Sequence, residues 1–244
     1  MNIFYENPKD WLDLQNKVAY ILNSCGYTVE TPKKIRTARG EVEIDVYASD
    51  SDISIVCECK YWESNIPQNI IFSFRSVVGD IGANKGIVIA KRGFQSGAYK
   101  NIQNTNIELK TWEDFSEQFV DKYLKTNIKK ILKMKSRLFR LADHKSEYWK
   151  YYDSLDGDKQ KEVDILRNDL MSIVCQISPM CFMLQNEEHE EIGWSREYID
   201  EIICNAEKKF KKSFPAYYDY FGYVNNKIEI IVARIEVLYG IKIL

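Results

Sequence analysis

The chain has 244 residues, of which 45% are hydrophobic and 29% charged, and a formal net charge of −2. That is the balance of a globular protein with one large domain or two ordinary ones, and it argues against a globally basic nucleic-acid coat. No run approaches the roughly 18 apolar residues of a membrane span, and MNIFYENPKDW lacks the charged-then-apolar pattern of a signal peptide, so a cytoplasmic protein with no membrane partner is expected.

In chain order, Asn7-Pro8-Lys9-Asp10 reads as a helix start, with Asn7 as cap and proline at the first helical position. Trp11, Leu14, Val18, Ile21 and Leu22 follow at helical spacing, and Gly26 stops the helix. Residues 27–31 form a short strand, and the basic segment 33–39 a loop or hairpin tip. Val42, Ile44, Val46 and Ala48 alternate with Glu41, Glu43, Asp45 and Tyr47, the period of a strand with one apolar face. Ser49 to Asp52 make a turn, and 53–60 return as an antiparallel strand. Pro67 opens a second helix, carried by Ile70, Ile71, Phe74, Val77, Val78 and Ile81 and ended by Gly82. An apolar strand at 86–90 then implies a right-handed parallel crossover. A short helix within 93–103 and a strand at 107–110 complete an αβββαβαβ order, a mixed sheet with helices on its faces.

From Thr111 the texture changes. Thr111-Trp112-Glu113-Asp114 resembles a capping box, and helical periodicity runs to about residue 142, then near 158–177, 195–212 and 225–239. Gly157, Pro179, Gly193 and Pro215 mark turns or breaks. The expected division is an α/β domain over 1–115 and an all-α domain of four or five helices over 116–244, joined at a soft boundary.

Six cysteines, Cys25, Cys57, Cys59, Cys175, Cys181 and Cys204, lie mostly in apolar stretches, as reduced core cysteines do. With only His144 and His189 in the chain, a Cys/His zinc cluster is not expected. Nine Lys/Arg and one acid, Asp143, fall between Lys122 and Lys145. Smaller basic groups occur at Lys33, Lys34, Arg36 and Arg39, at Lys91 and Arg92, and at 208–212. Each run also fits a solvated helix face or loop. The aromatic clusters at 148–152 and 217–221 fit helix packing better than base stacking.

The chemistry centres on IVCECKYW, residues 55–62. Alternation puts Glu58 and Lys60 on one face of a largely apolar strand, where charges need a partner or a task. If the polar face of the preceding strand looks the same way, Asp45 joins them. Two neighbouring carboxylates repel unless a cation lies between, and a hard divalent ion takes one or two carboxylates plus waters and phosphates. A lysine beside it can orient a water and offset developing charge. A surface ion pair on a solvated sheet is the plainer account of the same triplet.

Asp45…Glu58-Cys59-Lys60 resembles the D…(D/E)-x-K signature of the PD-(D/E)XK nuclease superfamily. Gly40-Glu41-Val42-Glu43-Ile44-Asp45-Val46, Cys57 to Trp62, Gly86-Ile87-Val88-Ile89 and Gly93-Phe94-Gln95-Ser96-Gly97-Ala98 follow its Mrr-like restriction endonuclease branch in order and rough spacing. The resemblance covers about residues 9–115 and not the helical region. It implies a restriction-endonuclease-like core that hydrolyses phosphodiester bonds in double-stranded DNA with Mg²⁺, Mn²⁺ being a substitute, in restriction or defence against foreign DNA. Asp45, Glu58 and the Cys59 carbonyl would hold the metal, and Lys60 would position the attacking water. Gln15 takes the place of a helix glutamate found in many relatives, a departure that bears on metal binding. Arg36, Arg39, Lys91, Arg92 and Gln95 are the candidate DNA contacts, and a homodimer would cut two strands with one site per chain. Other readings of the same residues are a decayed nucleic-acid-binding module, an interaction protein on a nuclease scaffold, and an RNase or junction resolvase.

Overall fold

The computed structural model describes residues 1–37, 40–186 and 193–243. The chain divides into two compact units, Asn2–Tyr123 and Leu124–Leu244 together with Met1, and the division falls inside one long helix.

In the first unit α1 (Trp11–Ser24) begins at Asp10, not Asn7. Asp10 Oδ1 accepts from the Asp13 N–H at 2.7 Å, and Asp13 Oδ2 accepts from the Lys9 N–H at 3.0 Å. These two bonds satisfy backbone donors at the helix start. The Asn7 amide instead donates to Glu113 Oε1 at 3.2 Å. Leu14, Val18, Ile21 and Leu22 form the buried stripe of α1.

Seven strands follow among the described residues: β1 (Thr28–Glu30), β2 (Lys33–Thr37), β3 (Gly40–Ile44), β4 (Val46–Ser49), β5 (Ser54–Lys60), β6 (Lys85–Ala90) and β7 (Ile107–Thr111). The basic segment predicted as a loop is strand β2, paired antiparallel with β3 as a separate ribbon. The single strand predicted over 41–48 is broken at Asp45: β3 pairs with β2, whereas β4 pairs with β1 and β5. The main sheet has the order β1-β4-β5-β6-β7, antiparallel at β1–β4 and β4–β5 and parallel at β5–β6 and β6–β7, the mixed sheet expected.

Helix α2 (Gln68–Ile81) supplies the first parallel crossover and ends at Gly82, whose φ of 72° is the left-handed cap that glycine favours. Its buried Ile71, Phe74 and Val78 pack with Val56, Val88 and Ile107. A Cβ on Gly86 would lie 2.7 Å from both Ile107 Cδ1 and Val78 Cγ2, so the missing side chain lets α2 and β7 close on β6. Helix α3 (Ser96–Lys100) is only five residues long.

Helix α4 (Trp112–Ala142) opens on the expected capping box. The Asp114 N–H donates to Thr111 Oγ1 at 3.1 Å, and the Thr111 N–H donates back to Asp114 Oδ2 at 3.3 Å.

The second unit holds the rest of α4 with α5 (Trp149–Asp153), α6 (Gly157–Gln185), α7 (Arg196–Phe210) and α8 (Tyr217–Tyr239). Pro179, expected at a break, lies inside α6. A helix-interior proline costs about 3 kcal/mol. The burial of Ile177, Met180, Cys181 and Leu184 around it offsets that, at roughly 1.5–3 kcal/mol for each large apolar side chain. Arg167, 6% exposed, donates to the Leu141 carbonyl at 2.8 Å and the Asp143 carbonyl at 3.0 Å, which caps the end of α4, and its guanidinium lies 4.7 Å from the Trp149 ring centre. Trp149 and Tyr152 stack at 4.4 Å, and Tyr217, Tyr220 and Phe221 are buried. Both aromatic clusters are thus used in packing. Among the described residues no helix is long and apolar enough to cross a membrane.

Candidate active site

Strand β5 runs on past the end of β4. Val46 opposite Cys57 is the last pair of the β4–β5 ladder, and Asp45 immediately precedes it in the chain. Beyond that pair the N–H and C=O of Cys59 have no β4 partner, and side chains take them instead. Asp45 Oδ2 accepts from the Cys59 N–H at 2.7 Å, and the Trp11 indole N–H donates to the Cys59 carbonyl at 3.2 Å. An unpaired strand end thereby becomes the place where a carboxylate meets a backbone carbonyl that still has a free lone pair.

The break at Asp45 has a definite cause. Its carbonyl accepts from Gln15 Nε2 at 2.8 Å and from the Thr31 hydroxyl at 2.9 Å, and Gln15 Nε2 also lies 2.8 Å from Thr31 Oγ1. With these side chains as partners, the residue leaves the ladder and turns its carboxylate toward β5. Gln15 is 3% exposed, and its Oε1 is buried with no hydrogen-bond partner.

Glu58 and Lys60 share a face, as the alternation predicts, with Lys60 Nζ 2.5 Å from Glu58 Oε1. Together with Glu43 of β3 and with Ile70, Ser73 and Val77 of α2 they line a cleft beside the sheet. Burial first, and then the nearby Glu58 charge, push the Asp45 carboxyl up to about 6. The Cys59 N–H and the Lys60 charge act the other way, and Glu43 adds to the rise. Burial likewise pushes up the Cys57 and Cys59 thiols, which stay protonated, so Cys59 contributes through its backbone.

The donor atoms within this set are hard oxygens: the Asp45 and Glu58 carboxylates, the Cys59 carbonyl and the unpartnered Gln15 amide oxygen. They fit a small divalent cation, which would relieve the carboxylate repulsion felt at Asp45. Among the described residues no three His, Cys, Asp or Glu side chains stand close enough to hold a metal by themselves. Carbonyl, amide, water or substrate oxygens would therefore complete the shell.

The structure brings Asp45, Glu58, Cys59, Lys60 and Gln15 together. The candidate DNA contacts are spread out. Arg36 is exposed on β2 opposite Glu41, and Arg39 lies outside the described residues. Lys91 follows β6, its N–H donating to the Lys60 carbonyl at 3.0 Å. Its ammonium is bound to Glu63 and lies 4.3 Å from the Tyr61 ring centre, and Arg92 is 3.9 Å from the same Glu63. Gln95 is exposed ahead of α3 and makes no side-chain capping bond.

Sequence reasoning missed four participants. Trp11 was expected in the buried arc of α1, yet it is 45% exposed and its N–H reaches Cys59; the polar end of an otherwise apolar ring was the available signal. Glu43 stands on the same alternation as Asp45. Thr31 and Glu63 carry no local signal.

Residues 9–119 match the model of the restriction endonuclease family Mrr_cat. No curated protein matches the chain. Among solved structures the chain is similar to one described as a protein of unknown function, AF1548, at 18% identity over 83% of this chain and 99% of that one, with a TM-score of 0.41. It is also similar to the DNA modification-dependent restriction endonuclease AspBHI, at 9% identity over 48% of this chain and 38% of that one, with a TM-score of 0.25. The domain at residues 9–119, which contains the Asp45, Glu58 and Lys60 constellation, belongs to the Mrr-type restriction endonucleases, a PD-(D/E)XK family.

Proposed function

We propose that the chain is a Mg²⁺-dependent endonuclease that hydrolyses phosphodiester bonds in double-stranded DNA, in restriction of foreign DNA in the cytoplasm. One observation carries the reading: at the free end of β5, the Asp45 carboxylate and the Glu58–Lys60 pair meet around the Cys59 backbone, inside a domain of restriction endonuclease type.

In this reading Asp45, Glu58 and the Cys59 carbonyl hold the cation, with the Gln15 amide oxygen as a further neutral donor. When bound, the cation would supply Lewis-acid polarisation of the phosphate and lower the pKa of a bound water. Lys60 directs its ammonium at the attacking water and at the charge that develops on the phosphate oxygens. Trp11 and the Asp45 carboxylate hold the backbone on both sides of the Cys59 Cα, so the carbonyl is held before substrate arrives. Lys91 and Arg92, in the loop beside the end of β5, touch the DNA backbone once Glu63 releases them. One site per chain and two strands to cut favour a homodimer, with residues 116–244 serving target sensing, dimerisation or partner contact.

The test is cleavage of supercoiled plasmid, modified and unmodified, with Mg²⁺ or Mn²⁺. Metal-dependent cutting by the native chain that is lost in both Lys60→Ala and Asp45→Ala is expected. Cutting that persists in both variants, or binding of Mn²⁺ that is unaffected by Asp45→Ala, overturns the reading.

A further inference from the structure

Residues 124–244 carry 20 Lys/Arg and 19 Asp/Glu, but the two signs are segregated. Eight of the cations and a single acid fall within 125–145, so the rest of the segment is net negative. Within α4 the exposed residues Lys129, Lys130, Lys133, Arg137 and Arg140 fall within an arc of about 100° of the helix circumference, at about 100° per residue. Along the axis they span roughly 16 Å at about 1.5 Å per residue. Thr126 shares the arc, and no acid does.

This arrangement works against the helix. Lys129 and Lys133, Lys130 and Lys133, Lys133 and Arg137, and Arg137 and Arg140 are all like-charge pairs at i,i+3 or i,i+4 spacing, each destabilising. Arg140 has compensation, since Glu147 lies 3.3 Å away and the carboxyl end of the helix dipole is close. Lys129, Lys130 and Lys133 stand more than two turns from that end, where the dipole no longer helps. Among the described residues none of Lys129, Lys130, Lys133 and Arg137 has an ion-pair partner. The apolar side of the same stretch, Ile128, Ile131, Leu138 and Leu141, is buried in the unit. The cationic face therefore has no apolar partner surface to insert into a bilayer. What it offers is a straight row of donors and positive charge, the complement of a polyanion of regular charge spacing.

We propose that this face of α4 is a nucleic-acid contact separate from the α/β unit, binding the phosphate backbone of duplex DNA without regard to sequence. The proposal rests on the reading of the chain as a DNA endonuclease and names how the helical unit engages the substrate.

The experiment uses the full chain in a Lys60→Ala background, a labelled 30-base-pair duplex and no divalent metal, with affinity followed against salt. The variant is Lys129→Gln/Lys130→Gln/Lys133→Gln/Arg137→Gln, because glutamine keeps helix propensity. The double Lys129→Gln/Lys133→Gln serves as a milder companion, and helicity is checked by circular dichroism. Each phosphate contact contributes about 0.9 to the slope of log K against log salt. The quadruple variant is expected to lower that slope by about 3 to 4, the double by about 2, and to weaken binding at least tenfold at about 0.1 M salt, equally for two unrelated sequences. An unchanged slope overturns the proposal. So does a variant that keeps full duplex binding but loses affinity for phosphatidylserine vesicles, which would make the face a lipid contact. Plasmid cutting with Lys60 intact is scored separately. Cutting with no effect of the four substitutions on binding keeps the endonuclease reading and removes this one. Substitution-sensitive duplex binding without any cutting does the reverse.

Discussion

Each unit of the molecule buries polar side chains, and each does something different with them. In the helical unit Arg167 is buried and its bonds serve the fold: two backbone carbonyls accept from its guanidinium, and Trp149 covers it. In the α/β unit Gln15, Asp45 and Glu58 keep valence unspent. The Gln15 oxygen has no partner, Asp45 uses its Oδ2 on one N–H, and Glu58 faces an open cleft through a single lysine. Buried polarity alone therefore says little about function. The informative signal is a buried group whose hydrogen-bonding capacity the fold does not exhaust.

The comparison predicts opposite mutational signatures, and the largest effect is on activity. Lys60→Ala is expected to lower plasmid cleavage by about 10²–10⁴, the usual range for a general acid-base or charge-stabilising group, while the thermal unfolding midpoint changes little. A midpoint that collapses with activity would make the Glu58–Lys60 pair structural. Arg167→Ala is expected to show the reverse. Removing a buried charge-bearing cap costs about 2–4 kcal/mol, read as loss of the unfolding midpoint, and Mn²⁺ affinity at the α/β unit is retained. A stable Arg167→Ala protein would remove the contrast between the two units.

A smaller effect tests the hinge at Asp45. Thr31→Val deletes one of the two side-chain donors that hold the Asp45 carbonyl out of the ladder, and Thr31→Ser keeps it. Mis-positioning a metal-binding carboxylate costs about tenfold or more in metal affinity. Mn²⁺ binding should accordingly weaken about tenfold in Thr31→Val and recover in Thr31→Ser. Equal affinity in all three proteins would show that Gln15 alone sets the break.

The parts of this site that were legible in the sequence are those set by local periodicity. Alternation placed Glu58 and Lys60 on one face, and the ends of α2 and α4 follow from Gly82 and from the Thr111–Asp114 box. The break at Asp45 was not legible, because its cause comes from 30 and 14 residues away, at Gln15 and Thr31. The same holds for Trp11, whose apolar ring fits the arc of α1 while its N–H serves a strand 48 residues on. The cationic loop at Lys91 and Arg92 reads as open in sequence, yet Glu63 is bonded to it across 28 residues. Long-range hydrogen bonds to backbone carbonyls leave no periodic trace, and these are what shape the site.

The smallest predicted effect is the most specific to unspent valence. The Asp45 carboxyl is raised from 3.8 to about 6 in the folded chain. Between those values the folded chain binds more protons than the unfolded one, so metal-free stability falls as pH rises through the window, and the full cost is present above about 6. Asp45→Asn keeps an oxygen acceptor for the Cys59 N–H and removes the charge. At pH 7.5 without metal it should be more stable than the native chain by about 1 kcal/mol, after discounting for solvent screening, and at pH 4 the two should be alike. Added Mn²⁺ should stabilise the native chain at pH 7.5 in proportion to ligand excess, less as pH falls through about 6, and should leave Asp45→Asn nearly unmoved. Parallel stability curves for the two proteins across pH 4–8 would mean that Asp45 feels neither its burial nor Glu58. The polar residues of the α/β unit would then serve its fold, as Arg167 does in the helical one.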